Sequence, residues 1–102
     1  MHMRTKKWAK PELAVCPYFT DEAERWRGRW RERFAADAPL YLELGCGKGV
    51  STAAMARANL DINYVAVDIT CNVLGDTRRN IAAAYGDDPV ENIIIARYDV
   101  SM

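Results

Sequence analysis

The feature that most constrains this chain is an apolar run that ends in an acid and is followed by glycines at every second position. It consists of Leu40-Tyr-Leu-Glu-Leu-Gly-Cys-Gly-Lys-Gly-Val50, and a helix-like run continues from there to Asn59. Glycine has no Cβ, so it can adopt positive φ and let backbone N–H groups approach a ligand closely. A strand, a glycine loop and a helix N-terminus in this order predict a cradle for a nucleotide-type cofactor.

Strand-like and helix-like segments alternate along the rest of the chain. The predicted strands cover Leu40 to Leu44, Tyr64 to Asp68 and Asn92 to Val100, and the predicted helices cover 50–59 and 72–85. This alternation predicts an α/β fold in which right-handed crossovers build a parallel sheet. We expect the strand order 3-2-1, which is the N-terminal βαβαβ portion of a doubly wound, Rossmann-like fold.

Polar residues and glycines gather at one edge of the predicted sheet. Glu43, the loop from Gly45 to Gly49, Asp68 and Asp99 all fall at the carboxyl ends of predicted strands. Ligands of open α/β sheets bind at this edge. The coincidence predicts a single binding site, although a tight glycine turn or a capping aspartate would leave a similar local pattern.

The N-terminal third of the chain is more basic than the remainder. Residues 1–33 hold nine lysines and arginines against five acids, whereas the whole chain has a net charge of +0. We expect a basic N-terminal arm and helix over 1–35, followed by the cofactor-binding domain over 36–102. A basic arm suits a polyanionic partner, although a solvated surface would have the same composition.

The arm and the helix within residues 1–35 are predicted from different patterns. Residues 1–19 show no clear periodicity, so we expect an irregular segment there. Over 20–35, Trp26, Trp30 and Phe34 recur at helical spacing, which predicts a helix with one aromatic face. The arginines that alternate around such a helix would be mostly solvated, and only a minority would contact phosphate.

Composition limits the class of protein. Half of the residues are hydrophobic (50%), which predicts a packed core. No apolar run approaches the roughly 20 residues that span a bilayer, and the basic N-terminus leads into no signal sequence. Cys16, Cys46 and Cys71 form no C-x-x-C pair, which favours reduced thiols in a cytoplasmic protein and no metal site.

Three types of glycine loop can be compared with residues 45–50. The phosphate-binding loop G-x-x-x-x-G-K-[ST] is excluded because Lys48 is followed by Gly49. The dinucleotide fingerprint G-x-G-x-x-G has Val50 at its sixth position, which disfavours a nicotinamide-dependent oxidoreductase but leaves it open as an alternative. The pattern that remains is acid-x-Gly-x-Gly-x-Gly, with a further acid at the end of the next strand.

This pattern resembles motif I of the class I S-adenosylmethionine-dependent methyltransferases. The resemblance implies that the glycines lie against the cofactor, that Glu43 orients its methionyl end, that Asp68 accepts from the ribose hydroxyls and that Asp99 accepts from the adenine amine. The cofactor-binding residues that it implies are Glu43, Gly45, Gly47, Gly49, Asp68, Asp99 and Val100.

Several other segments resemble the bacterial tRNA (guanine-N7-)-methyltransferases. They include Arg4-Thr-Lys-Lys-Trp-Ala9, Pro17-Tyr-Phe19, Leu42-Glu-Leu-Gly-Cys-Gly-Lys-Gly49 and Asp61-Ile-Asn-Tyr-Val65. This resemblance covers essentially the whole chain. It implies methyl transfer from S-adenosylmethionine to N7 of a variable-loop guanine in tRNA. The basic residues expected to contact RNA are Arg4, Lys6, Lys7 and Lys48.

That family continues to a fourth strand and an Asp-Pro-Trp-Pro-Lys-like motif, which supplies its catalytic aspartate. No segment here matches the motif, so we expect the cofactor-binding half of such an enzyme, with catalytic residues beyond Met102. The first strand would then be an unpaired apolar edge, which favours self-association and marginal stability. A non-catalytic cofactor- or RNA-binding module stays open as an alternative.

Overall fold

The structure is a computed structural model that describes residues 5–45 and 49–98. In chain order, its helices and strands are α1 (Ala9–Ala14), β1 (Phe19–Thr20), two 3₁₀ helices (Ala23–Trp26 and Trp30–Arg33), β2 (Leu40–Leu44), α2 (Val50–Ala58), β3 (Asn63–Asp68), α3 (Cys71–Tyr85) and β4 (Ile93–Arg97). The predicted α/β class is confirmed. The predicted helices and strands from residue 40 onward form within a few residues of their expected bounds.

The strands form one parallel sheet with the order β1-β4-β3-β2. In register, Leu42 of β2 is opposite Val65 of β3, and Tyr64 of β3 is opposite Ile93 of β4. The predicted 3-2-1 order of the three main strands is therefore confirmed. The sequence missed β1, which adds Phe19 and Thr20 beside Ile95 and Ala96 of β4.

All three α-helices pack on one face of the sheet. The α3 helix is capped at its N-terminus by Thr70, whose Oγ1 accepts a hydrogen bond from the Val73 amide at 3.2 Å, and at its C-terminus by Gly86. Such a side-chain cap satisfies an amide that lacks a partner in the first turn. The buried residues of this layer are Leu13, Ala53, Ala56, Tyr64, Ala66, Leu74, Ile81, Tyr85, Ile93 and Ile95.

The helix predicted over 20–35 is wrong. Two short 3₁₀ helices flank Gly28, whose φ of +72° lies in the left-handed region and is incompatible with a continuing helix. Ala23 and Phe34 are instead buried against the second face of the sheet, with Trp30 packed beside them. Burial on the sheet therefore overrides the helical spacing of the aromatic residues.

The arm predicted to be irregular over 1–19 contains α1 and β1. Glu12 of α1 forms ion pairs with Arg78 and Arg79 of α3, and Lys6 forms one with Asp76. The Arg79 guanidinium also lies 3.5 Å from the centroid of the Trp8 ring. These contacts join the start of the chain to α3.

One buried amide connects several loops at the amino end of the sheet. The Asn92 side chain donates to the carbonyls of Ala56, Asn59 and Ile62 at 2.9, 3.2 and 3.0 Å. Its Oδ1 accepts from the Tyr85 hydroxyl. The end of α2, the turn before β3 and the end of α3 are thus held by a single residue that is 5% exposed.

The β2 strand is an edge of the sheet, as predicted. Tyr41, Leu42 and Leu44 are 46%, 55% and 58% exposed, which is high for large apolar side chains. Within the described ranges, no helix is both long and apolar enough to cross a membrane.

Candidate cofactor-binding site

Gly45 stands where β2 ends and the glycine loop begins. Its amide donates to the Val67 carbonyl at 2.9 Å, and its φ is +71°. A Cβ built at this position would meet no atom within 4 Å. Glycine is therefore required here by the backbone conformation, and the space beside it is open to a ligand.

Gly49 has a different role at the start of α2. Its φ is +75°, and a Cβ at this position would stand 2.9 Å from the Cβ of Thr77 on α3. Its carbonyl accepts the first helical hydrogen bond, from Ala53, at 2.8 Å. The structure thus gives Gly49 a packing role, since it brings the N-terminus of α2 against α3.

Glu43 and Asp68 lie on the same face of neighbouring strands. Glu43 is in register with Ala66, and Asp68 follows two residues later; side chains two residues apart on a strand share a face. Both residues are half-buried. Asp68 Oδ1 accepts from the Thr70 amide at 3.2 Å, and no hydrogen bond to Glu43 forms among the described residues. Both carboxylates therefore retain capacity to accept hydrogen bonds.

A cleft of about 530 Å³ lies at the carboxyl end of the sheet, where Ile69 follows β3. The Tyr98 amide donates to the Asp68 carbonyl at 3.0 Å, and Arg97 Nε donates to the Ile69 carbonyl at 3.2 Å. These two hydrogen bonds join the end of β4 to the end of β3 along one wall of the cleft. The cleft is lined by Asp21, Glu22, Ala23, Glu24, Arg25, Ile69, Arg97 and Tyr98. Its size is within the usual range for small-molecule sites.

Sequence reasoning missed most of this cleft. Ile69 and Tyr98 could have been predicted to line it, because they are next in sequence to the predicted acids Asp68 and Asp99. The contribution of residues 21–25 had no local signal, because it depends on the chain crossing the second face of the sheet.

The predicted residues fall into three groups. The structure brings Glu43, Gly45, Gly49 and Asp68 together at the carboxyl edge. Lys6 is bound to α3, where its amide donates to Asn72 Oδ1 at 2.9 Å and its ammonium pairs with Asp76, while Lys7 is exposed. The predicted residues outside the described ranges are Arg4, Gly47, Lys48, Asp99 and Val100.

The donors and acceptors at this edge fit an S-adenosylmethionine-type ligand. An open backbone cradle at Gly45 and two carboxylates with free acceptor capacity suit a molecule that carries an ammonium group and ribose hydroxyls. In the part of the chain that the structure describes, no cluster of histidine, cysteine or acidic side chains is suited to hold a metal ion.

Comparison with known proteins identifies relatives of this chain. Residues 37–102 match a family model described as putative methyltransferase. Several curated relatives are named tRNA (guanine-N(7)-)-methyltransferase, which confirms the resemblance found in the sequence. One from Clostridium beijerinckii is 52% identical over 83% of this chain and 39% of its own length. Another, from Ruminiclostridium cellulolyticum, is 41% identical over 100% of this chain and 44% of its own length.

A third relative with the same name, from Clostridium botulinum, is 48% identical over 85% of this chain and 40% of its own length. The chain therefore spans less than half the length of these three curated relatives. The family model covers β2, α2, β3, α3 and β4 together with the predicted cofactor-binding residues, because its match runs from residue 37 to residue 102. The chain therefore belongs to the family of putative methyltransferases.

Proposed function

We propose that this chain binds S-adenosylmethionine and belongs to an enzyme that methylates N7 of a variable-loop guanine in tRNA. The observation that carries the proposal is the pair of half-buried carboxylates, Glu43 and Asp68, beside the open cradle at Gly45. Relatives named for this reaction support the choice of substrate.

In this proposal, the residues at the carboxyl edge each contact a different part of the cofactor. Asp68 accepts from the two ribose hydroxyls, and Asp99 accepts from the adenine amine. Glu43 binds the methionyl ammonium, either directly or through water. Gly45 and Gly47 keep the main chain close to the methionyl and ribose portions. Gly49 contributes by bringing the start of α2 against α3, so that the loop can reach the cofactor. Val100 borders the adenine.

The sulfonium of the bound cofactor would supply the methyl group, and the thioether that it becomes is a good leaving group. Transfer to a guanine nitrogen would therefore depend on the alignment of donor and acceptor more than on a strong base. The contribution of this chain is therefore to orient the donor. The residues that hold guanine and assist the transfer are proposed to lie beyond Met102, in keeping with the family resemblance.

Calorimetric titration with S-adenosylhomocysteine tests the cofactor assignment. Asp68→Ala should abolish measurable binding, because the two ribose hydroxyls lose their shared acceptor. Asp61→Ala is a matched control, since Asp61 is an exposed carboxylate at the amino end of β3. If Asp68→Ala binds S-adenosylhomocysteine with unchanged affinity, the proposed role of Asp68 is wrong. Preferential binding of NAD would instead support the oxidoreductase alternative.

An assay of methyl transfer to tRNA distinguishes an enzyme from a non-catalytic binding module. Labelled methyl incorporation at guanine N7 by the full-length protein supports the enzyme, whereas cofactor or RNA binding without transfer supports the module. We propose tRNA as the macromolecular partner and the cytoplasm as the location. Of the basic residues expected to contact RNA, we propose Arg4, Lys7 and Lys48 as contacts, whereas Lys6 is paired with Asp76.

We also propose that the β2 edge mediates pairing between copies of this chain when nothing else covers it. An edge strand presents a row of unpaired backbone donors and acceptors. The apolar side chains Tyr41, Leu42 and Leu44 are exposed along β2. Pairing along this edge would satisfy the backbone groups and bury these side chains together.

A further inference from the structure

The densest positive charge in the described chain lies on the segment that crosses the second face of the sheet. The nine residues from Arg25 to Arg33 include five arginines and one glutamate. Ala23 and Phe34 anchor the segment, each 8% exposed. Arg25, Arg27, Arg29 and Arg31 are exposed, whereas Arg33 is half-buried. The segment therefore presents a basic surface on the side of the sheet opposite α1, α2 and α3.

Two of these arginines are not neutralised by the protein. Arg25 pairs with Glu22 at 2.9 Å, and Arg29 makes two hydrogen bonds of 3.0 Å to Glu32. Within residues 5–45 and 49–98, Arg27 and Arg33 have no carboxylate at ion-pair distance. An incoming anion can contact these two guanidiniums without breaking an ion pair.

Trp26 holds part of this surface in place. The Arg33 and Arg29 guanidinium carbons lie 4.9 and 5.3 Å from the centroid of its ring. Stacking on an aromatic ring leaves the edge of a guanidinium free to donate, and that edge matches the geometry of a phosphate. Arg33 thus keeps its edge for directed donation, whereas Arg29 already donates to Glu32 and helps to hold Trp26 in place.

The basic surface reaches the carboxyl edge of the sheet. Arg25 lines the cleft that Ile69 borders, and Arg27 lines a neighbouring groove of about 230 Å³ together with Trp30 and Tyr98. A polyanion that lies along the arginines therefore passes the carboxyl edge of the sheet. By contrast, Lys6 is already paired with Asp76 on the opposite face.

We propose that Arg27 and Arg33, supported by Arg29 and Trp26, form a binding surface for the phosphate backbone of the RNA substrate. This inference rests on the proposed function, since it assigns that function its RNA-binding face. Positive charge accounts for the attraction, and the guanidinium donors suit bidentate contacts with phosphate oxygens.

Binding of fluorescently labelled tRNA by the chain, followed by anisotropy over a range of salt concentrations, tests the proposal. Arg27→Glu/Arg33→Glu should weaken binding by about tenfold or more at low salt, and the slope of log affinity against log salt should fall by roughly 0.7 to 0.9 for each phosphate that the variant no longer neutralises. The single variant Arg27→Glu is compared with Lys10→Glu, which changes the charge by the same amount at an exposed position of α1. Lys10→Glu should bind within about twofold of wild type, because salt screens a distant exposed charge.

Wild-type affinity and salt slope in the double variant would overturn the proposal, and so would an equally large effect of Lys10→Glu. A wild-type chain that binds no tRNA would overturn it as well. Thermal melting shows whether each variant is folded. If the double variant is unfolded, tRNA binding by Arg27→Glu tests the proposal instead, because Arg27 is exposed and its replacement should not disturb the fold. Calorimetry with S-adenosylhomocysteine tests the cofactor site independently, so failure of this surface is distinguishable from failure of the proposed function.

Discussion

Gly75 in the middle of α3 lies directly against Ala9 of α1. A Cβ at Gly75 would stand 2.8 Å from the Ala9 Cβ and 3.0 Å from Cζ3 of Trp8. Real Cβ atoms do not approach another carbon so closely, so one of the two helices would have to move. The absence of a side chain at Gly75 therefore allows the N-terminal helix to pack on the body of the protein.

Gly75→Ala should destabilise the protein by about 1–3 kcal/mol, since overpacking at this contact outweighs the gain of roughly 1 kcal/mol in helix propensity. Urea unfolding followed by circular dichroism measures the change. Ala83→Gly, at an exposed position of the same helix, reports propensity alone and should cost about 1 kcal/mol. A Gly75→Ala protein as stable as wild type would show that α1 does not pack as described.

Asn92→Ala should lower the free energy of unfolding by about 2–4 kcal/mol. The Ile62 carbonyl and the Tyr85 hydroxyl would lose their partner, and each buried group without a partner costs about 1–3 kcal/mol. The carbonyls of Ala56 and Asn59 would keep the backbone amides of Asn59 and Ile62. Chemical denaturation measures the loss, with exposed Glu91→Ala as the neighbouring control. A loss below about 1 kcal/mol would mean that water replaces the amide at little cost.

Stability at acid pH should depend on Glu12. The Arg79 and Arg78 guanidiniums lower the pKa of Glu12 from 4.5 to about 2. A group with a depressed folded-state pKa stabilises the protein above its unfolded pKa, and this contribution disappears as the pH falls towards the folded value. Glu12→Gln should therefore reduce the loss of stability between about pH 5 and pH 2.

Thermal melts at several pH values measure this effect, and Glu91→Gln provides an exposed control carboxylate. Because Glu12 is partly exposed, added salt should weaken the contribution of the ion pairs. Parallel stability profiles for Glu12→Gln and wild type would show that the two arginines do not stabilise the ionised carboxylate.

Leu42→Lys should reduce any self-association of the chain, because a charged side chain on an edge strand opposes pairing with another edge. Sedimentation velocity over a range of concentrations measures the shift towards monomer. Val15→Lys introduces the same charge away from β2, at a side chain that is 83% exposed, and should leave association unchanged. Equal effects of the two variants would place the contact elsewhere.

Local patterns identified the sheet, α2 and α3 because those segments are long enough to bury one face. The continuous apolar run at Tyr64 to Val67 marked a strand covered on both sides, and these residues are buried. The same kind of reasoning failed over 20–35, where the spacing of Trp26, Trp30 and Phe34 fitted a helix. Gly28 and the adjacent sheet face favoured two short turns instead.

The sequence by itself determined the α/β order, the sheet edge where the main strands end and the presence of Glu43 and Asp68 at that edge, since these depend on periodicity and on chain order. Tertiary structure decided which glycines serve packing and which are open to a ligand. Gly45 and Gly49 look alike in the sequence, yet only Gly49 lies against Thr77. Tertiary structure also decided the places of α1, Asn92 and the arginine segment, because their partners lie far away along the chain and no local pattern reports such contacts.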